Sequence, residues 1–223
     1  TTGSFMEAIQ TFSKFLNVKG EIIPSSLQVI TLYAVMEDGT IVRGESNIPN
    51  FDNQIERVFY EEKVEPTREA LQAIHEADVI VYGIGSLYTS IIPNLIVDRI
   101  VDELKKNPVK KIYFCNAMTQ PGETDNFSLE DHVRALQNHS YEKAIDIVIT
   151  HNNRAEQRLL DKYKAMGSVP VRVMEEKHSY TILERDVLSF DDDLIRHDSN
   201  KIRDVLEEII NSKDEVECHL QQK

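Results

Sequence analysis

Three short, almost unbroken apolar runs constrain this fold more than any other feature of the 223 residues: VIVY at 79–82, IYF at 112–114 and IDIVI at 145–149. A strand that is apolar at every position has no solvent face, so helices must cover it on both sides, as in parallel sheets. Helical patterns separate the runs, over 67–76, 91–106, 128–138 and 154–165. The second of these carries Ile92, Leu95, Ile96, Ile100 and Leu104 at helical spacing. A weaker strand is predicted over 169–174 and a last helix over 199–211. The alternation reads as an α/β fold, Rossmann-like, with a mostly parallel sheet flanked by helices and right-handed crossovers.

The first part of the chain departs from that rhythm. Phe5, Ala8, Ile9, Phe12 and Phe15 mark a helix, with Ser4 and Glu7 at the spacing of a capping box. A β-hairpin excursion follows, with strands at 29–35 and 40–44 around Asp38-Gly39, and a further strand at 55–60. Residues 1–212 read as a single α/β domain and 213–223 as a polar tail. With 41% hydrophobic residues the chain can bury a core of that size.

Charge narrows the partners. Lys plus Arg number 25 against 38 Asp plus Glu, a net −13. Such a chain is not expected to grip a nucleic-acid backbone or an anionic membrane over a broad face. A local anion site built from main-chain N–H groups remains compatible with it. Two distant cysteines, Cys115 and Cys218, offer neither a disulfide framework nor zinc spacing, and read as reduced thiols. No apolar run nears the ~20 residues of a membrane span, and no secretory leader is recognisable, so the expected location is cytoplasmic.

In open parallel sheets ligands bind beyond the carboxyl ends of the strands. Three turns there are candidates. After VIVY come Gly83 and Gly85, which let a ligand approach the backbone, and then Ser86, Thr89 and Ser90 before a helix start. The same residues also suit a tight strand-to-helix turn with hydroxyl caps. After the second run, the long loop "CNAMTQPGETDNFSLEDH" presents Asn116, Thr119 and Gln120. Connections of this kind usually take about 2–6 residues, and longer ones tend to be functional. After the third comes "THNNRAEQ", with His151, Asn152 and Asn153.

Weaker sets complete the inventory. His132 and His139 lie seven apart without a third metal ligand, and the aspartates of "SFDDDLIRHDS" read as a solvated turn. Beside that turn stand Arg196, whose fork suits a phosphate, and His197. No nucleophile elbow, Walker lysine or CxxC is present, and no metal, cofactor or catalytic residue is assigned. The residues alone stop at an anion- or nucleotide-sized ligand, with Ser86, Asn116 and Asn152 at one edge of the sheet.

"YGIGSLYTSIIPNLIV", "YFCNAMTQPGETDNFSLEDHV" and "RHDSNKIRDVLEEI" together resemble the gluconeogenesis-factor branch of the superfamily that also contains 2-phospho-L-lactate transferase. The resemblance runs over about residues 1–212. That branch usually has Pro where this chain has Ile84. The transferase branch has Pro-Ser-Asn-Pro where this chain has Ser86-Leu87-Tyr88-Thr89-Ser90, which favours the regulator over the enzyme. Family members begin with a strand, a GGGTG loop and an Asp-Asp-Gly-Gly segment. Residues 1–30 match none of these, so the domain is expected to lack the family's N-terminal strand and glycine loop.

The resemblance implies a cytosolic bacterial protein that binds a nucleotide sugar, UDP-N-acetylglucosamine. It implies a need for the protein during growth on gluconeogenic carbon sources and for normal cell shape, without catalytic activity. By motif position it assigns Tyr163 and Arg196 to ligand recognition. The nucleotide sugar, cell-wall precursor enzymes and a second copy of the chain are the partners to consider. Two rival expectations stand beside it: a phospholactate-type transferase, and a scaffold that needs no ligand.

Overall fold

The computed structural model describes residues 5–15, 20–51, 53–152 and 154–220. Helix α1 (Phe5–Phe15) opens the described chain; its expected cap, Ser4, lies outside the described residues. Strands β1 (Leu32–Met36) and β2 (Ile41–Arg43) form the expected hairpin, pairing Ala34 with Val42. Gly39 turns the chain between them at φ 83°. The first strand begins at Leu32 rather than at 29, because Val29 is fully exposed while Leu32, Ala34 and Met36 bury one face. Strand β3 (Ile55–Tyr60) pairs with the other side of β1, closing a three-stranded antiparallel sheet of order β2-β1-β3.

Helix α2 (Arg68–Glu76) is capped by the Thr67 hydroxyl, which accepts from the Ala70 N–H. Strand β4 (Val79–Tyr82) leads into a wide helical turn (Leu87–Ile91), then α3 (Ile92–Leu95) and α4 (Ile100–Lys106). The single helix predicted over 91–106 is therefore two. Val97, outside the apolar period, is 2% exposed. Burying it turns the backbone off the helical path: Asp98 N–H donates to Val64 O, and Arg99 takes φ 63°.

Strand β5 (Lys110–Phe114), helix α5 (Leu129–Asn138), strand β6 (Ile147–His151) and helix α6 (Gln157–Ala165) follow as expected. Ser128 and Asp131 close a reciprocal capping box at the start of α5. The segment 169–174 is not a strand of the sheet. It is an extended strap, joined to the loop after β5 by a single bridge at Met118 and Pro170 and by Val171 N–H to Ala117 O. The fourth strand is β7 (Thr181–Arg185), which ends the parallel order β4-β5-β6-β7. Beyond it lie the short pair β8 (Leu188–Ser189) and β9 (Arg196–His197), and helix α7 (Ser199–Leu220).

Strands β5 and β6 are covered on both faces, as their apolar runs require, while Val81 of the edge strand β4 is 39% exposed. Ile112 and Phe114 pack with Leu159 of α6 and with Val205 and Ile209 of α7. Tyr113 and Cys115 point the other way, into a core shared with Leu129, Val133 and Leu136 of α5. The antiparallel sheet joins that core, and His139 fastens it by accepting the Val58 N–H on Nε2 at 3.0 Å. Among the described residues no helix is long and apolar enough to cross a membrane.

Candidate ligand site

The parallel register sends the turns after β4, β5 and β6 off one edge, since Tyr82 pairs with Tyr113 and Phe114 with Ile149. Asn116 ties the first two turns together. Its Nδ2 donates to Gly85 O at 3.0 Å, and its Oδ1 accepts the Tyr113 hydroxyl at 3.1 Å. The glycines admit the chain itself as much as any ligand. A Cβ on Gly83, whose φ is 101°, would sit 3.1 Å from Phe114 O, and one on Gly85 would sit 3.0 Å from Ser90 Cβ. Ser86 contributes its carbonyl, which accepts from the N–H groups of Ser90 and Ile91, and Ser90 is exposed.

The anion at this turn is the protein's own. Glu123 Oε1 accepts the Thr89 hydroxyl at 2.9 Å and Gln120 Nε2 at 2.6 Å. The main-chain N–H groups of Tyr88 and Thr89 also donate to this carboxylate. Glu123 is 3% exposed, and its Oε2 has no hydrogen-bond partner among the described residues. Burial raises its pKa, against the opposing pull of those donors. Nothing in the sequence pattern marks Glu123, because a carboxylate in a long polar loop reads as solvated. Gly122 lets the loop press on the small sheet: with φ 79°, a Cβ there would lie 1.9 Å from Pro49 O.

Thr119 faces inward rather than toward the edge. It is 3% exposed; its hydroxyl accepts the Val169 N–H at 2.9 Å, and its carbonyl accepts the Ser168 hydroxyl at 2.6 Å. Its task is to fasten the strap. The far end of the strap is held by Glu130, which accepts from the N–H groups of Met174 and Glu175 and from His178 Nε2. Burial pushes the Glu130 pKa up, but these hydrogen bonds outweigh it and bring the group down to about 2.

On the β6 side, Asn152 is exposed and its N–H donates to Arg185 O, while Asn153 lies outside the described residues. His197 packs near His151 and hydrogen-bonds the Cys115 main chain, so β9 lies across the ends of β5 and β6. Burial, helped by His151, lowers the His197 pKa. Tyr163 accepts the Ile195 N–H on its hydroxyl at 2.9 Å. The two residues singled out near the end of the chain are thus neighbours: half-buried Tyr163 holds the residue next to exposed Arg196. Tyr163 and Arg196 are linked through Ile195, Asn152 is held at the end of β6 by Arg185, and Gly85, Ser90 and Asn116 meet at the turn after β4, where Thr89 and Gln120 meet on Glu123.

Between β6, β7, α6 and the strap lies a cleft of about 560 Å³. Leu160, Val171, Phe190 and Ile195 line it, with Arg154 and Arg172 among its polar residues. Arg172 was hidden by the reading of 169–174 as a strand, and Arg154 by its place in a loop noted only for its His and Asn residues. The remaining sets are structural. His132 donates its Nδ1–H to Ser128 O, and the aspartate turn is clamped by Arg158 and Lys162 onto Asp193. No metal-binding group was found among the described residues. Burial pushes the Cys115 thiol up to about 12.

The family described as 2-phospho-L-lactate transferase CofD matches residues 1–188. The chain belongs to the CofD family. Within it, the chain is 41% identical over 213 residues to the gluconeogenesis factor of Bacillus subtilis (strain 168), covering 94% of this chain and 67% of the relative. It is also 41% identical over 215 residues to the gluconeogenesis factor of Halalkalibacterium halodurans, covering 92% and 65%. The chain therefore spans about two thirds of the length of these relatives. A crystal structure of a UPF0052-family protein from Bacillus halodurans superposes with a TM-score of 0.87 at 40% identity, covering 91% of this chain and 67% of that one. The CofD-family core of a parallel sheet with its antiparallel companion is thus common to both.

Proposed function

We propose that this chain is part of a cytoplasmic regulatory protein that binds a nucleotide sugar, UDP-N-acetylglucosamine, and catalyses no reaction on it. In this reading it serves growth on gluconeogenic carbon sources and the maintenance of cell shape. The observation that carries it is the placing of Tyr163 against Ile195, next to exposed Arg196, where an aromatic residue and a guanidinium suit a nucleoside diphosphate. The gluconeogenesis-factor names of its relatives agree with it. So does the engagement of the nucleophile-like side chains elsewhere: Thr89 bonds Glu123, Thr119 bonds the strap, and Cys115 is a buried thiol.

Calorimetry on the intact protein tests the reading: heat is expected with UDP-N-acetylglucosamine and not with GDP, and no heat from the uridine ligand defeats it. One rival has an observation of its own. The family description names a transferase, which favours transfer of a phospholactyl-type group. Mass-spectrometric detection of a nucleotide-dependent product would favour that rival.

A further inference from the structure

Strand β3 pairs with β1 along one edge, and among the described residues no strand runs along the other. The main-chain groups of such an edge need other partners when they are buried. Two side chains supply them here. Val58 N–H donates to His139 Nε2 at 3.0 Å, and Ile55 O accepts the Tyr88 hydroxyl at 3.4 Å. Both strand residues are buried, and the Tyr88 and His139 rings meet edge to face with centroids 5.8 Å apart. Only one form of His139 fits this place. Its Nδ1 lies 2.7 Å from Ala135 O and carries the hydrogen, so Nε2 must be bare to accept from Val58.

We infer that His139 is an acid-sensitive latch, whose protonation opens the free edge of β3 and loosens the antiparallel sheet from the end of α5. An imidazolium would turn an Nε2–H toward the Val58 N–H, replacing a hydrogen bond with two opposed donors. The surroundings do not favour that cation. From β3 the charged group acting on His139 is Arg57, itself positive, and from the turn after β4 the ring meets the Tyr88 phenol. The carboxylates of Asp131, Glu123 and Glu37 act on Tyr88. On α5 itself the other imidazole is His132, and Phe127 packs against both it and Tyr88. Burial, helped by Arg57, lowers the His139 pKa below its usual value. The closed edge is therefore favoured in full above the open-state value, near 6.5, and is lost as pH falls toward the folded-state one. Tyr88, the second clasp, immediately precedes Thr89, so the same edge is joined to the turn that Glu123 holds.

Hydrogen exchange of the Val58 amide in the intact protein, corrected for the intrinsic pH dependence of exchange, tests the latch. The open edge gains a proton and the closed one does not, so its opening constant should rise about tenfold between pH 7.5 and 5.5. His139→Gln keeps an acceptor at the place of Nε2 and cannot titrate. It should leave Val58 protected and reduce the rise to less than about twofold. A second measurement needs no variant: the ring-nitrogen NMR shifts of His139 at pH 7.5 should show hydrogen on Nδ1 and none on Nε2. Wild-type protection of Val58 that does not change over this range would overturn the inference. So would an equal rise in the Gln variant, or a hydrogen on Nε2 at pH 7.5. Should the variant fail to fold, the wild-type exchange and the NMR shifts still decide.

Discussion

The turns after β4 and after β6 leave the same edge of the same sheet, yet they treat a negative charge in opposite ways. The first has the glycines, hydroxyls and free N–H groups that sequence lore associates with phosphate. Those donors converge on Glu123, and the glycines are needed because Phe114 O and Ser90 crowd the backbone. The second has no glycine, but it carries Arg154 beside a cleft and lies next to Arg196. Donors signal an anion without saying whose it is. An internal carboxylate bound at high effective concentration competes with any external phosphate for the same N–H groups.

The largest effect expected from breaking this comparison comes from Glu123→Ala. It would strand the Thr89 hydroxyl, Gln120 Nε2 and two N–H groups in a buried place, at a cost of about 3–4 kcal/mol. Urea unfolding measures it; a loss below about 1 kcal/mol would mean that the carboxylate is not the resident anion of that turn. Next comes the strap. Glu130 is held down to about 2. A carboxyl whose folded pKa is depressed contributes stability that is present above its unfolded value, near 4.5, and is lost as pH falls toward 2. Acid titration of stability should lose roughly 2 kcal/mol over that window, and Glu130→Gln should abolish the slope.

On the β6 side the effects move from stability to affinity. Arg196→Ala should weaken the uridine sugar by about 1.5 kcal/mol, roughly tenfold, with the thermal midpoint unchanged because the side chain is exposed. The smallest effect is Tyr163→Phe, which removes the acceptor for the Ile195 N–H. A loss of about 1 kcal/mol in stability and a few-fold in affinity is expected, read by unfolding and calorimetry together. An affinity loss without any stability change would make Tyr163 a ligand contact alone.

Much of the framework was legible because burial on both faces leaves a plain trace. IYF and IDIVI are the central strands their apolar runs predict, VIVY lies in the same parallel sheet at its edge, and Ser128 announced its helix. Strand β7 was missed because it carries Thr181, Glu184 and Arg185 in place of an unbroken apolar run, while the alternating valines at 169–173 imitated a strand. The break at Val97 was invisible because its cause is a contact with Val64, far away in the chain. Candidate residues at strand ends were found by topology, and Asn116 meets Gly85 as that topology requires. What each polar group bonds is set by tertiary contacts. Hence Thr119 faces inward, and Glu123, Arg154 and Arg172 were passed over.

The most direct measurement is a difference map from crystals of the intact protein soaked in UDP-N-acetylglucosamine. The diphosphate should lie on the β6 side beside Tyr163 and Arg196, with Glu123 still bonded to Thr89. Diphosphate density against Gly83 to Thr89, with Glu123 displaced, would contradict the account.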